Sequence, residues 1–189
     1  MTAMEKVQPV VANHCAADLV QCFNRTFDTP YNTRLVGGGE EPIYLPADQD
    51  EQFHRIVFTH DYFASALHEI AHWCVAGDVR RQQVDYGYWY APDGRSQEQQ
   101  QEFEQVEIKP QAMEWIFSVA CGYHFRVSAD NLEAGLGASE SFKANIYQQV
   151  LAYCQQGLPV RPQQFALALA KHYGVENPFA PHHYQLENL

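Results

Sequence analysis

His68 and His72 stand four residues apart in the run His68-Glu69-Ile70-Ala71-His72, and this spacing has only one economical structural home. On an α-helix, residues i and i+4 lie on one face, one turn apart, so two imidazoles can offer nitrogens to a single ion. The flanking Phe63, Ala64, Leu67, Ile70 and Trp73 recur at helical spacing. A helix is therefore expected from a cap at Asp61 to a stop at Gly77. Two core histidines beside an exposed glutamate would give the same pattern. Two histidines also leave an ion's shell incomplete, so a third ligand has to come from elsewhere.

One route to that ligand is the longer pattern HExxHxxGxxH, but Val75 stands at its glycine position and Asp78 at its third histidine. The other route takes a carboxylate from a later helix. The segment Phe103 to Pro110 offers Glu104 and Glu107, and Glu107 is the better candidate because it opens an apolar helical run, expected over Glu107 to Val119 with Pro110 in its first turn. A His68, His72 and Glu107 set suits a catalytic zinc site and equally the two-histidine, one-carboxylate group of non-haem iron oxygenases. Glu69 would be the general base of a zinc peptidase in the first case, and a supporting group and proton carrier in the second. It could also be a solvated helix residue.

The rest of the chain reads as one α+β domain over residues 13–189 behind a loose tail at 1–12, mostly helical with a small antiparallel sheet. Cys15, Leu19, Cys22 and Phe23 mark a first helix ending near Phe27. Extended segments at Arg34 to Val36 and Pro42 to Pro46, separated by Gly37-Gly38-Gly39, suggest a hairpin with a flexible tip. Those glycines run into Glu40-Glu41, which would repel a phosphate. Arg55 to Phe58 has strand character, as does the aromatic stretch Val84 to Tyr90. Tyr86, Tyr88, Trp89 and Tyr90 serve sheet packing or, by their faces, hold an ammonium group. Ser96 to Gln105 is polar and leads into the Glu107 helix. Two further helices are expected, one carrying Phe142, Ile146, Val150 and Tyr153 and stopping at Gly157, the other running from Pro162 to Gly174.

Twelve basic against 23 acidic residues give a net charge of −11, which disfavours nucleic acid and favours a cationic substrate. Five cysteines with no CxxC pair suit a reduced, cytoplasmic interior. No apolar stretch reaches the roughly 18 residues needed to span a bilayer, so no membrane partner is expected.

With these residues in place, the chain resembles the bacterial elongation factor P hydroxylase family from about Asn24 to about Tyr173. The resemblance rests on Asn32-Thr33-Arg34-Leu35, on Glu41-Pro42-Ile43-Tyr44-Leu45-Pro46-Ala47, and on Arg55-Ile56-Val57-Phe58 through Ala64 to Cys74. It continues through Gly87-Tyr88-Trp89-Tyr90, Pro92-Asp93-Gly94-Arg95 and Val106-Glu107-Ile108-Lys109-Pro110-Gln111-Ala112. It implies a metal-dependent hydroxylation, using molecular oxygen, of a lysine on elongation factor P that already carries a lysyl group. It places the ligands at His68, His72 and Glu107, around a divalent ion expected to be iron(II), with other divalent ions able to substitute. Glu98, Glu102 and Glu104 would add a field that draws such a doubly cationic arm. Residues after Tyr173 match the family poorly.

Overall fold

The computed structural model describes residues 14–85, 94–129 and 137–189. Among them, five α-helices, α1 (Ala16–Tyr31), α2 (Phe63–Val75), α3 (Gln97–Cys121), α4 (Glu140–Gln156) and α5 (Val160–Tyr173), accompany strands β1 (Thr33–Gly39), β2 (Ile43–Leu45) and β3 (His54–Thr59). The expected α+β class holds, with one difference in the sheet. Its order is β1-β3-β2. β3 pairs parallel with β1 and antiparallel with β2, so the sheet is mixed and β1 and β2 form no hairpin.

The glycines explain the difference. β1 continues through them alongside β3, with an irregular register between Val36 and Gly39. A Cβ on Gly37 would lie 2.9 Å from the Phe58 ring, and one on Gly39 would lie 2.7 Å from Val57. Gly37 and Gly39 stand where the strand passes too close to its neighbours for side chains, and Gly38 adopts a positive φ of 86° that suits its lack of a Cβ. β3 becomes the central strand because Ile56 and Phe58 point into the core.

α1 runs one turn past its expected end, through Pro30 to Tyr31, and stops where Asn32 turns left-handed at φ 48°. Side chains tie it to β1: Asn24 accepts the Leu35 N–H at 2.8 Å, and Arg34 pairs with Asp28 at 2.9 Å. α2 begins one residue later than the Asp61 cap would give, with Tyr62 at the cap position and no side-chain cap bond. Phe63, Ala66, Leu67, Ile70, Ala71 and Trp73 are all buried, and α2 packs against α3, β3, α1 and α5. It is the central helix of the domain.

α3 departs most from expectation. It spans 25 residues, starting at Gln97 rather than Glu107, with Pro110 in its interior. The start is fixed by a capping box in which Ser96 accepts the Gln99 N–H at 3.3 Å and Gln99 accepts the Ser96 N–H at 2.9 Å. An interior proline costs about 3 kcal/mol. That cost is offset by the cap and by burial of Gln100, Phe103 and Glu104 in the amino-terminal half. α4 and α5 lie where the apolar spacing and Gly157 and Gly174 place them.

An aromatic cluster backs α2. Trp73 stands 5.4 Å from Phe23 and 5.0 Å from Phe27, and Phe165 of α5 meets Phe23, Phe27 and Phe117 at 5.6, 6.0 and 5.0 Å. The carboxy-terminal residues fold back onto α3 through Tyr184, whose ring meets Trp115 edge-on at 5.3 Å. Among the described residues no helix is long and apolar enough to cross a membrane. The tail at 1–12, the aromatic residues Tyr86 to Tyr90 and the turn at Pro92-Asp93 lie outside the described residues. Of the Val84 strand, Asp85 forms a bridge to Tyr44 on β2.

Candidate metal centre

α2 presents His68 and His72 on one face, and α3, packed beside it, presents Glu107 to them. His72 Nε2 lies 3.1 Å from Glu107 Oε1 and 3.0 Å from His68 Nε2, and His68 Nε2 lies 3.8 Å from Glu107 Oε2. The three donor atoms fall within 4.8 Å of one another, and the group could hold a metal ion. Glu107 is only 1% exposed. A buried carboxylate facing two imidazole nitrogens is costly unless a cation or proton compensates it, and the donor set suits a divalent ion. The three residues expected to converge therefore do so. The other candidate, Glu104, turns away and accepts the Ser139 N–H at 2.9 Å and its hydroxyl at 2.5 Å, tying α3 to the start of α4.

Burial alone would raise the Glu107 pKa. The hydrogen bond from His72 and the electrostatic pull of both imidazoles outweigh it and bring the carboxyl down to about 2. Gln111 assists, donating to Glu107 Oε2 at 3.2 Å. Gln111 is itself held at both ends of its amide, donating to Ser128 O at 2.6 Å and accepting the Ser128 N–H at 3.1 Å.

Glu69 has the opposite tendency. It is 9% exposed, and burial pushes its pKa up, with Glu107 and Glu114 adding to the rise against the pull of His68 and His72. It is not a solvated surface residue. It lines a cleft together with His72, Tyr44, Arg80, Arg81 and Asp85. Arg80 pairs with Asp85, and Tyr44 donates to Arg81 O at 2.9 Å, so the segment after α2 is fastened to β2 beside the cleft.

Sequence reasoning missed four side chains around this centre. Glu114 accepts from His68 Nδ1 at 2.7 Å. Gln111 braces Glu107 as described. Arg81 and Arg161 both donate to Ala76 O, at 2.6 and 2.7 Å, and Arg161 also reaches Cys74 O at 3.2 Å. These guanidiniums satisfy carbonyls that the end of α2 leaves without helical partners. Glu107, Gln111 and Glu114 sit at i, i+4 and i+7, so one helical face was the available signal. That face already lies inside the helix expected over Glu107 to Val119, but spacing alone does not name His68 and Ser128 as the partners of Glu114 and Gln111. The acidic field also differs from expectation: Glu104 is engaged with Ser139, while Glu98 and Glu102 stand exposed in the amino-terminal half of α3.

A helical α+β protein with an HExxH helix and a buried carboxylate on the neighbouring helix falls in the class whose His-His-Glu group can hold a catalytic divalent ion. Comparison with known proteins narrows that class. A family model described as elongation factor P hydroxylase matches residues 22–184. The chain is 49% identical over 164 residues to the elongation factor P lysine hydroxylase of Haemophilus influenzae, covering 87% of this chain and 92% of that relative. The chain belongs to the elongation factor P hydroxylase family. The match runs past Tyr173 to Tyr184, further than the sequence blocks suggested, and Tyr184 is a buried core residue.

Proposed function

We propose that this protein hydroxylates a lysine of elongation factor P, in the form that already carries a lysyl group, at a divalent ion held by His68, His72 and Glu107. The observation that carries this reading is the family match over most of the chain, and the buried donor group supports it. The same match favours hydroxylation over the zinc-peptidase alternative.

An ion of the iron(II) type would supply the redox chemistry with dioxygen that no side chain here can perform. Inserting one oxygen atom into a C–H bond leaves the other to be reduced to water, which calls for an external reductant. The chain's own residues do the rest. Glu107, ionised by its imidazole neighbours, supplies negative charge at the centre. Gln111 keeps its carboxylate from rotating. Glu69, protonated more readily than an exposed glutamate, can hold a proton on its carboxyl oxygen at the cleft wall and pass it on. The acidity of the chain favours approach of a cationic arm. The five cysteines are free, with burial pushing Cys74 and Cys121 up to about 12, which fits inert thiols in the reducing cytoplasm where translation takes place.

Incubation of lysylated elongation factor P with this protein, iron(II), a reductant and oxygen, followed by peptide mass analysis, tests the reading. A gain of one oxygen on the modified lysine is expected. Cleaved peptide without that gain would instead establish the peptidase.

A further inference from the structure

Glu114 is a buried carboxylate, 7% exposed, that the chemistry above does not use. We infer that Glu114 is a positioning residue which locks His68 in the tautomer protonated at Nδ1 and so aims the Nε2 lone pair at Glu107 and His72. The inference rests on the proposed metal centre for its purpose, although the tautomer itself can be measured without any ion.

The geometry leaves few alternatives. A neutral imidazole carries one N–H, and an ionised carboxylate only accepts. With Glu114 Oε2 2.7 Å from His68 Nδ1, the proton belongs on Nδ1. Nε2 then carries the lone pair, on the side of the ring that faces His72 Nε2 at 3.0 Å and Glu107 Oε2 at 3.8 Å. The contact also fixes the ring's rotation, because both ring nitrogens are held at once from opposite edges. α3 supplies the ligand Glu107 and the orienting Glu114 two turns apart on one face, so packing of a single helix against α2 sets both. A carboxylate on the outer nitrogen of a ligating histidine also makes the ligand more basic.

The test uses the full chain with ¹⁵N-labelled histidine, first without metal at a pH where the imidazoles are neutral. In wild type, His68 should show a protonated Nδ1 and an unprotonated Nε2. Glu114→Gln keeps an acceptor without the charge and should retain the Nδ1–H form as the main species. Glu114→Leu removes the acceptor at similar volume and should move the proton to Nε2. Zinc(II) titration of the same three proteins should show affinity falling by about 10–100-fold in Glu114→Leu and largely recovering in Glu114→Gln. A wild-type His68 protonated at Nε2, or a Glu114→Leu protein with unchanged tautomer and affinity, would overturn the inference. Should Glu114→Leu fail to fold, the wild-type tautomer and the Glu114→Gln affinity decide the matter. Wild type that takes up no zinc would count against the metal centre, and the tautomer would still decide what Glu114 does.

Discussion

Gln111 donates to Oε2 of Glu107 across one turn of α3, at 3.2 Å, while Ser128 grips both ends of the Gln111 amide. The carboxylate is thereby held through the backbone of the segment after α3. Gln111→Leu should weaken zinc(II) binding by on the order of 10-fold with little change in helix content by circular dichroism. Titration against a chelator measures the loss, and unchanged affinity would show that Glu107 needs no brace.

Glu69→Gln separates the chemistry of this residue from its burial. Burial raises the Glu69 pKa above the ordinary 4.5. Its protonated form therefore favours the fold below pH about 4.5, and that contribution is lost as pH rises through the folded value. Glutamine stays neutral throughout. The metal-free variant should melt higher than wild type near pH 7, with the gap closing towards pH about 4. Hydroxylation should fall because the proton carrier is gone, and an unchanged rate would remove Glu69 from the chemistry.

Glu107 carries the opposite sign. Its folded pKa is depressed from 4.5 to about 2, so an unfolded chain takes up the proton first as the solution is acidified. The stability this carboxylate contributes is complete above pH about 4.5 and is lost as pH falls through about 2. Denaturant midpoints of metal-free protein should therefore decline over that range, and Glu107→Gln should remove part of the decline. An identical acid profile for the two proteins would contradict the ionic pairing with His72.

Phe165 supports the centre from behind, through Phe23 and Phe27 to Trp73, the neighbour of His72. Phe165→Ala should cost about 3–5 kcal/mol of stability by denaturant unfolding. Protein that remains folded should still bind one equivalent of zinc(II), because no ligand or orienting group is touched. Loss of zinc binding by folded protein would mean that the cluster sets ligand geometry as well as stability.

The legible and illegible parts of this protein divide on physical lines. His68, His72 and Glu107 could be read because ligation demands particular side chains and helical spacing shows which of them share a face. α4 and α5 could be read because their apolar residues and terminal glycines carry the signal locally. The sheet could not, because Gly37 to Gly39 look like a loop until Phe58 and Val57 are seen against them. The start of α3 is hard to read for a different reason. Pro110 reads as a first-turn residue, and the capping box at Ser96 and Gln99 is a weaker mark than a proline, yet burial of Phe103 and Gln100 carries the helix through. Gln111 and Glu114 lie within the expected helix on the face of Glu107, but their roles depend on Ser128 and His68, which only the packing brings to them.

The central claim is that dioxygen chemistry on elongation factor P occurs at the His68, His72 and Glu107 group. It is tested most directly by running the reaction under dioxygen made of the heavy oxygen isotope, with wild type and with His72→Ala, and weighing the lysylated peptide. Wild type should add one heavy oxygen atom and His72→Ala none. Light oxygen drawn from water, or equal incorporation by the variant, would contradict the account.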